Sequence, residues 1–396
     1  MKRKCHTKRI LVSLPPLAYQ HRQGLEGILA YMHEHHACSW EPWLDTEFLV
    51  AQDTVDLREG RYDGILAYVM SDEMRTRLLS LDVPTVFYEP FLSVDTRTLK
   101  PYPRAVTIVT DYMSEGRFAA RYFMERHYRS FAYVGERDGP FAADTFRQRG
   151  FTEELAKHGF ECRCFGRGVR LRTQDGDAER QALTRWLKGL PLHTGIFVVR
   201  DMRARKVLAL AKEAGLQIPA HLAVLGIDDD RCLCETCSPT LSSISTDVFS
   251  LGYKVGGLLD ELLSGADGKI VVHVPNLRAV TRASTEMDAS DDPVVAKALQ
   301  WIRGHLADNL SVGNVAAGIG FPVRPLQLRF RNELGRSIGG EVRRLRLEAA
   351  MQMLRSTGKS ISCIADECGF SGASHFGLCM RKTFGMSPAK YKKSQE

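Results

Sequence analysis

The sequence predicts an α/β body with parallel sheets followed by an all-α C-terminal domain. Three observations carry this. Strand-like and helix-like segments alternate from the start of the chain to about residue 230, the pattern of parallel sheets covered by helices. From Val294 onward the apolar spacing is helical throughout, and it repeats at an offset of 49 or 50 residues. The charge is divided as well: of a net +7, Pro293 to the end holds 16 Lys+Arg against 7 Asp+Glu, which leaves the remainder slightly acidic. Positive charge confined to one helical end points to a polyanion-binding module joined to a neutral body.

The first 20 residues carry the cations of a signal peptide. Their apolar stretch is short and broken by Pro15-Pro16, so a basic tail (residues 1–8) feeding a first strand is expected. No apolar run reaches the length of a membrane span. A cytoplasmic protein without membrane contact is the expectation.

In order, Lys8–Leu14 reads as a buried strand, Gln23–His33 as a helix and Tyr62–Val69 as a strand. Glu73–Leu81 is helical and Val83–Glu89 extended. A second set follows: helix Asp111–His127, strand Ser130–Glu136, helix Asp144–His158, helix Arg180–Leu187, strand Thr194–Arg200, helix Ala204–Ala214 and strand Leu222–Asp230. Ligands of open α/β sheets sit beyond the carboxyl ends of strands, which makes Asp201, Asp228 and Asp229 pocket candidates. The ten cysteines form no even framework. Cys232-x-Cys234-x-x-Cys237 lacks a second pair at zinc spacing, so reduced thiols and no metal are expected. There is no P-loop, nucleophile elbow or dinucleotide fingerprint, and neither an enzyme nor a cofactor is expected.

Residues 286–292, acidic and ending at Pro293, read as a linker between a body over 9–285 and a domain over 293–396. Val294–Leu306 makes a helix. Ser311 caps a short one that Gly320 breaks, and Pro322 opens another that ends at Gly335. Gly339–Leu354 is a long helix. Shifted along, Val315-Ala316 falls on Ile364-Ala365, Gly320-Phe321 on Gly369-Phe370, Gly335 on Gly385 and Ser337 on Ser387. Each unit reads helix, glycine turn, helix, which is the helix-turn-helix pattern.

The body resembles the sensor domain of the lactose-repressor/galactose-repressor family. The matching residues are DGILAY from Asp63, VPTVFY from Val83, Arg147-x-x-Gly150-Phe151 and Asp201-x-x-Ala204. The match continues through Ile218-Pro219-x-x-Leu222-Ala223-Val224-Leu225-Gly226-Ile227-Asp228 to Pro239-x-Leu241-Ser242-Ser243-Ile244 and Arg282-Ala283-Ser284-Thr285. The resemblance implies a two-lobed, periplasmic-binding-protein-like fold closing over a small sugar. It places Arg147, Asp201 and Asp228 at the cleft, with Tyr19 and Arg22 beside them; the family often has Asn where Asp201 stands. Carboxylates accept from vicinal hydroxyls and a guanidinium donates a planar fork.

The C-terminal region resembles the DNA-binding domain of the arabinose-operon regulator (AraC) family. The match rests on Leu326-x-x-x-Phe330-x-x-x-x-Gly335-x-Ser337, Arg346-Leu347-x-x-Ala350-x-x-Leu354, Ile361-x-x-Ile364-Ala365, Gly369-Phe370, Phe376 and Phe384-Gly385-x-Ser387-Pro388-x-x-Tyr391. Met380 stands where Phe is usual. Carried over, Val323, Arg324, Gln327 and Leu328 face bases in the first unit, and Ala373, Ser374, His375 and Leu378 in the second. Arg331, Arg381 and Lys382 contact phosphate or pack nearby.

A sensor of the first kind before a domain of the second is the architecture of the xylose-operon regulators. The resemblance implies a homodimer bound to double-stranded operator DNA, a pentose effector, and RNA polymerase as partner if the protein activates. The alternative is a sugar-binding or DNA-modifying enzyme with an appended targeting domain.

Overall fold

The computed structural model describes residues 7–15, 19–36, 39–45, 62–69, 71–88, 101–136, 142–166, 176–286, 290, 292–308, 310–356 and 359–393. Residues 1–6 of the expected basic tail and much of the 286–292 linker lie outside the described residues, and Lys8, placed in that tail, opens the first strand.

Two α/β lobes come first. One contains β1 (Lys8–Ser13), β2 (Trp40–Asp45), β3 (Gly64–Tyr68), β4 (Thr85–Tyr88), β5 (Ala105–Thr110) and β11 (Ile270–His273). They form one sheet in the order β11-β5-β4-β3-β1-β2, every neighbour parallel. The other contains β6 (Ser130–Val134), β7 (Cys162–Phe165), β8 (Thr194–Val198), β9 (Leu222–Ile227), β10 (Ser242–Ser245) and β12 (Arg278–Val280). Its order is β12-β10-β9-β8-β6-β7, parallel except for β10 with β12. Every residue of β8 and β9 is buried, which is why these strands read as unbroken apolar runs. The sequence reading passed over the edge strands β2, β7, β11 and β12. β2 exposes most of its residues and contains Pro42, so it has no alternation to detect.

The chain crosses between the lobes through α3 (Tyr112–Met124), through α8 (Val248–Leu263) and between β11 and β12. Asp111 starts α3 by accepting from the Ser114 N–H at 3.1 Å, with Glu115 in the first turn. Both features complement the N-terminal end of the helix dipole. Each crossing helix lies on the first helix of a lobe: α8 on α1 (Tyr19–His36) and α3 on α4 (Ala142–Lys157). Glycines make both contacts possible. A Cβ at Gly252 would come within 2.0 Å of the Gly24 carbonyl oxygen, one at Gly116 within 2.1 Å of the Arg147 carbonyl oxygen, and one at Gly150 within 2.2 Å of the Met113 carbonyl oxygen.

The last part is helical: α9 (Pro293–Gly304), α10 (Val312–Ile319), α11 (Val323–Leu334), α12 (Ile338–Ser356), α13 (Ile361–Glu367), α14 (Ala373–Phe384) and α15 (Pro388–Lys393). The repeat is visible in the caps. Ser311 accepts from the Asn314 N–H at 3.1 Å and Ser360 from the Cys363 N–H at 3.2 Å. Gly320 and Gly369 take φ of 69° and 74°, and Gly335 and Gly385 take 66° and 71°, conformations that favour glycine. Pro322 opens α11 as its cap residue, and Pro325 stands within the first turn. Each unit has its own core. Leu326, Phe330 and Leu334 pack with Val315 and Ile302; Phe376 and Met380 pack with Ile364 and Tyr391. The α12 helix serves both, giving Val342 and Leu345 to the first core and Leu347, Ala350 and Leu354 to the second.

Candidate functional site

The cleft candidate is built at the carboxyl ends of β6, β8 and β9 and the start of α3. Arg147, from α4, is its centre. It is 8% exposed. Its Nε donates to Glu115 Oε2 at 2.6 Å and one terminal nitrogen donates to the Val199 carbonyl at 2.7 Å. Its other terminal nitrogen lies 3.9 Å from Asp228 Oδ1, and the guanidinium stands 5.4 Å over the Tyr112 ring. Burial works against the charged guanidinium, but Glu115 and Asp228 outweigh it and raise its pKa, so Arg147 stays a cation. Burial also raises the pKa of both carboxyl groups, against the pull of Arg147. Two carboxyls therefore share one guanidinium away from bulk water, an arrangement that favours neutral hydroxyl donors over anions as ligands.

Asp228 and Asp229 have φ of 113° and 50°. Backbone held in such regions costs about 1–3 kcal/mol per residue and concentrates at ligand sites. Hydrogen bonds hold the strained loop. The Asp229 N–H donates to Ser243 Oγ at 3.0 Å, and the Arg282 guanidinium donates to Asp229 Oδ1 at 2.8 Å. The Asp230 N–H donates to Asp201 Oδ2 at 2.9 Å.

Asp201 lies next to the loop that carries Asp228. It is 2% exposed and turned inward, with its carboxylate accepting from Ser243 Oγ at 2.7 Å and from the Cys234 thiol at 3.4 Å. Burial raises its pKa. A Cβ at Gly226 would meet it at 2.1 Å. Its oxygens serve the loop that carries Asp228. The same contact accounts for Cys234, and the eight cysteines among the described residues are free thiols.

From the other lobe, Tyr19 is half-buried and accepts from Gln23 Nε2 at 2.7 Å. Burial raises its pKa, and the nearby Asp229 and Asp230 add to the shift, which puts the phenol close to the opposite lobe. Arg22 is exposed. Sequence reasoning missed Glu115, whose partner lies 32 positions away on another helix, and His21. His21 is 7% exposed, packs 4.7 Å from the Tyr68 ring, and has no formed hydrogen bond at either ring nitrogen. Burial lowers its pKa to about 4, although the Pro15 carbonyl is near enough to oppose this slightly. A cavity of about 460 Å³ lined by Lys8, Asp63, Pro84 and Arg104 lies at the amino ends of the first sheet, away from these groups.

The DNA-face candidates are on α11 and α14. Burying Leu326, Phe330 and Leu334 turns Arg324, Gln327, Leu328 and Arg331 outward, and Leu328 is 62% exposed. Burying Phe376, Cys379 and Met380 turns Ser374, His375, Leu378, Arg381 and Lys382 outward, with Leu378 60% exposed. Val323 is exposed and Ala373 half-buried at the helix starts. Arg324, Arg331, Arg381 and Lys382 make no ion pair among the described residues. Large exposed side chains among unpaired cations at equivalent places in two repeats form a surface for a polyanion whose base edges also offer apolar contact.

A two-lobed receptor whose polar cleft is joined to tandem helix-turn-helix units is the build of a transcription regulator that answers to a small molecule. Residues 120–285 match the periplasmic binding protein-like domain and residues 302–394 match a helix-turn-helix domain. Nearly end to end, the chain is similar to the xylose operon regulatory proteins. That of Haemophilus influenzae is 28% identical over 94% of each chain, and that of Escherichia coli K12 is 27% identical over 94% of this chain and 93% of the relative. The solved structure of the xylose-binding transcription activator xylR has 25% identity and a TM-score of 0.63, covering 98% of this chain and 99% of the other. The protein is a DNA-binding transcription regulator with a periplasmic-binding-protein-like sensor and an AraC-type C-terminal region. No helix among the described residues is long and apolar enough to cross a membrane.

Proposed function

We propose that the chain is a cytoplasmic, homodimeric activator of pentose-utilisation genes, with D-xylose or a close relative as effector. The sensor would span 9–285 and the DNA-binding domain 293–396. The observation that carries the ligand reading is the largely buried Glu115–Arg147–Asp228 group beside a strained loop, in a chain that aligns over 94% of its length with a xylose operon regulatory protein. Arg147 and Asp228 take the sugar hydroxyls, Tyr19 and Arg22 approach from the other lobe, and Asp201 holds the Asp228 loop in place. On DNA, Arg324, Gln327, Ser374 and His375 read base edges, and Val323, Leu328, Ala373 and Leu378 supply apolar contact. Arg331, Arg381 and Lys382 neutralise phosphates. Bound operator DNA then presents the protein to RNA polymerase.

Calorimetry with a panel of pentoses and hexoses, together with footprinting on the chain's own upstream region, tests this. Binding of xylose and a sugar-dependent footprint spanning two adjacent major-groove segments per protomer are expected. Binding of a hexose but no pentose would overturn the effector assignment.

A further inference from the structure

The sensor and the DNA-binding region touch through a chain of charges. Arg126, just after α3, donates to Glu348 Oε1 at 2.6 Å. Glu348 accepts from Arg344 at 2.8 Å, and Arg344 also donates to Glu341 at 3.1 Å. Arg336 Nε pairs with Glu341 at 2.8 Å. Arg336 then returns to the sensor, donating to the Glu125 carbonyl at 3.0 Å and lying 2.6 Å from His127 Nε2. Glu341 is fully buried and Arg126 is 6% exposed. Charges buried to this degree persist only when paired, so the seam is built rather than grazing.

On the sensor side the anchor is equally specific. The Arg126 guanidinium lies 3.7 Å from the Tyr122 ring centre, and one nitrogen donates to Thr281 Oγ1 at 3.3 Å. The Tyr122 hydroxyl bonds Thr281 at 3.0 Å and Thr285 at 2.5 Å, at the end of the sensor. The same helix begins at the cleft, where Tyr112 and Glu115 hold Arg147. Glu115 and Met124, the last residue of α3, are 9 positions apart, about 14 Å of helix, and Arg126 follows two residues on. The glycine contacts with α4 make α3 and its neighbour one stiff pair. Meanwhile Leu328 and Leu378 stay exposed, so the seam orients the recognition helices without covering them.

We propose that α3 is the rod that carries cleft occupancy to the DNA-binding region, and that the Arg126–Glu348 seam on α12 is its output contact. A ligand drawing Arg147 away from Glu115 shifts the first turn of α3, and the seam turns that shift into a new orientation of α12 and its two recognition helices. This rests on the reading of the cleft as the effector site.

The test uses the full-length protein, D-xylose and a DNA fragment from the chain's own promoter. Arg126→Glu and Glu348→Arg are made singly and together, with thermal melts to confirm folding. Each single variant is expected to keep xylose binding and DNA binding within about threefold, while the xylose-dependent change in DNA affinity falls from about tenfold, a usual size for such coupling, to under about twofold. The charge-swapped double variant restores it. Full coupling in both single variants overturns the proposal. A second arm needs no ligand: Glu115→Gln is compared with the unaltered protein by hydrogen exchange of the α12 amides from Leu345 to Ala350. Changed exchange supports the rod, and unchanged exchange in a folded variant overturns it. Failure of xylose to bind with a positive exchange result rejects the effector reading and leaves the rod standing.

Discussion

Arg147 bonds the buried Glu115 and lies beside the half-buried Asp228, so removing it leaves both carboxyls without their cation. Arg147→Ala and Asp228→Ala should each weaken sugar binding by roughly 1.5–3 kcal/mol, the loss of a charged hydrogen-bond partner, with DNA affinity retained. Calorimetry and a gel-shift assay on the same preparations check this; equal sugar affinity in both variants would remove these residues from the pocket. His21 gives a pH signature. Its folded pKa of about 4 lies below the ordinary 6.5. The unfolded chain therefore takes a proton that the native state refuses, and stability falls as pH drops from about 6.5 to about 4, by up to about 3 kcal/mol. Denaturant melts across that window should show a shallower slope for His21→Gln. The sequence singled out Arg147 and Asp228 because each stands in a recognisable local motif, and the structure brings them within 3.9 Å of one another. Position after a strand says nothing about which way the Asp201 side chain turns; here Ser243, Cys234 and the Asp230 N–H bond to it. Glu115 and His21 carry no local pattern at all.

Among the elements, α11 and α14 were the most legible, because glycine turns and serine caps recur in both units. Their outward cations separate into two roles that experiment can distinguish. Arg324→Ala should cost about 1–3 kcal/mol on the preferred site and relax selectivity at one base pair. Lys382→Ala should weaken all sequences alike and reduce the salt slope by about one. Anisotropy titrations at several salt concentrations on specific and scrambled DNA decide between them; a uniform loss in Arg324→Ala would make it a phosphate contact. Strands such as β1, β8 and β9 were legible for the same physical reason as the helices, a pattern enforced by burial, whereas the interior strands β5 and β10, rich in Thr and Ser, were passed over. Edge strands such as β2 and β7 escape because one side of the strand has no neighbour to demand apolar residues.

For the molecule as a whole, order along the chain was legible and the seam between its parts was not. Arg126 and Glu348 are 222 positions apart, and nothing in either neighbourhood announces the other. The seam also changes what the linker can be expected to do. A long Gly/Ser insertion after Glu286 lowers the local concentration of α12 at the sensor without removing the contact. It should therefore weaken sugar-dependent DNA binding only partly, whereas insertion combined with Arg126→Glu should abolish it. Reporter assays across a sugar titration compare the two, and complete loss from the insertion alone would return the signal to linker geometry.

One helix, α12, packs into both helix-turn-helix cores, with Leu345 facing one and Leu347 the other. The consequence is genetic. A stop codon between residues 356 and 373, which removes α14 and α15, would not leave a regulator with half its grip on DNA. It would leave Leu347, Ala350 and Leu354 bare to water on a helix that the first unit needs intact. Termination in that stretch should therefore behave in a selection as a null allele. Transplanting a single unit into another protein should fail unless the graft carries all of α12 with it.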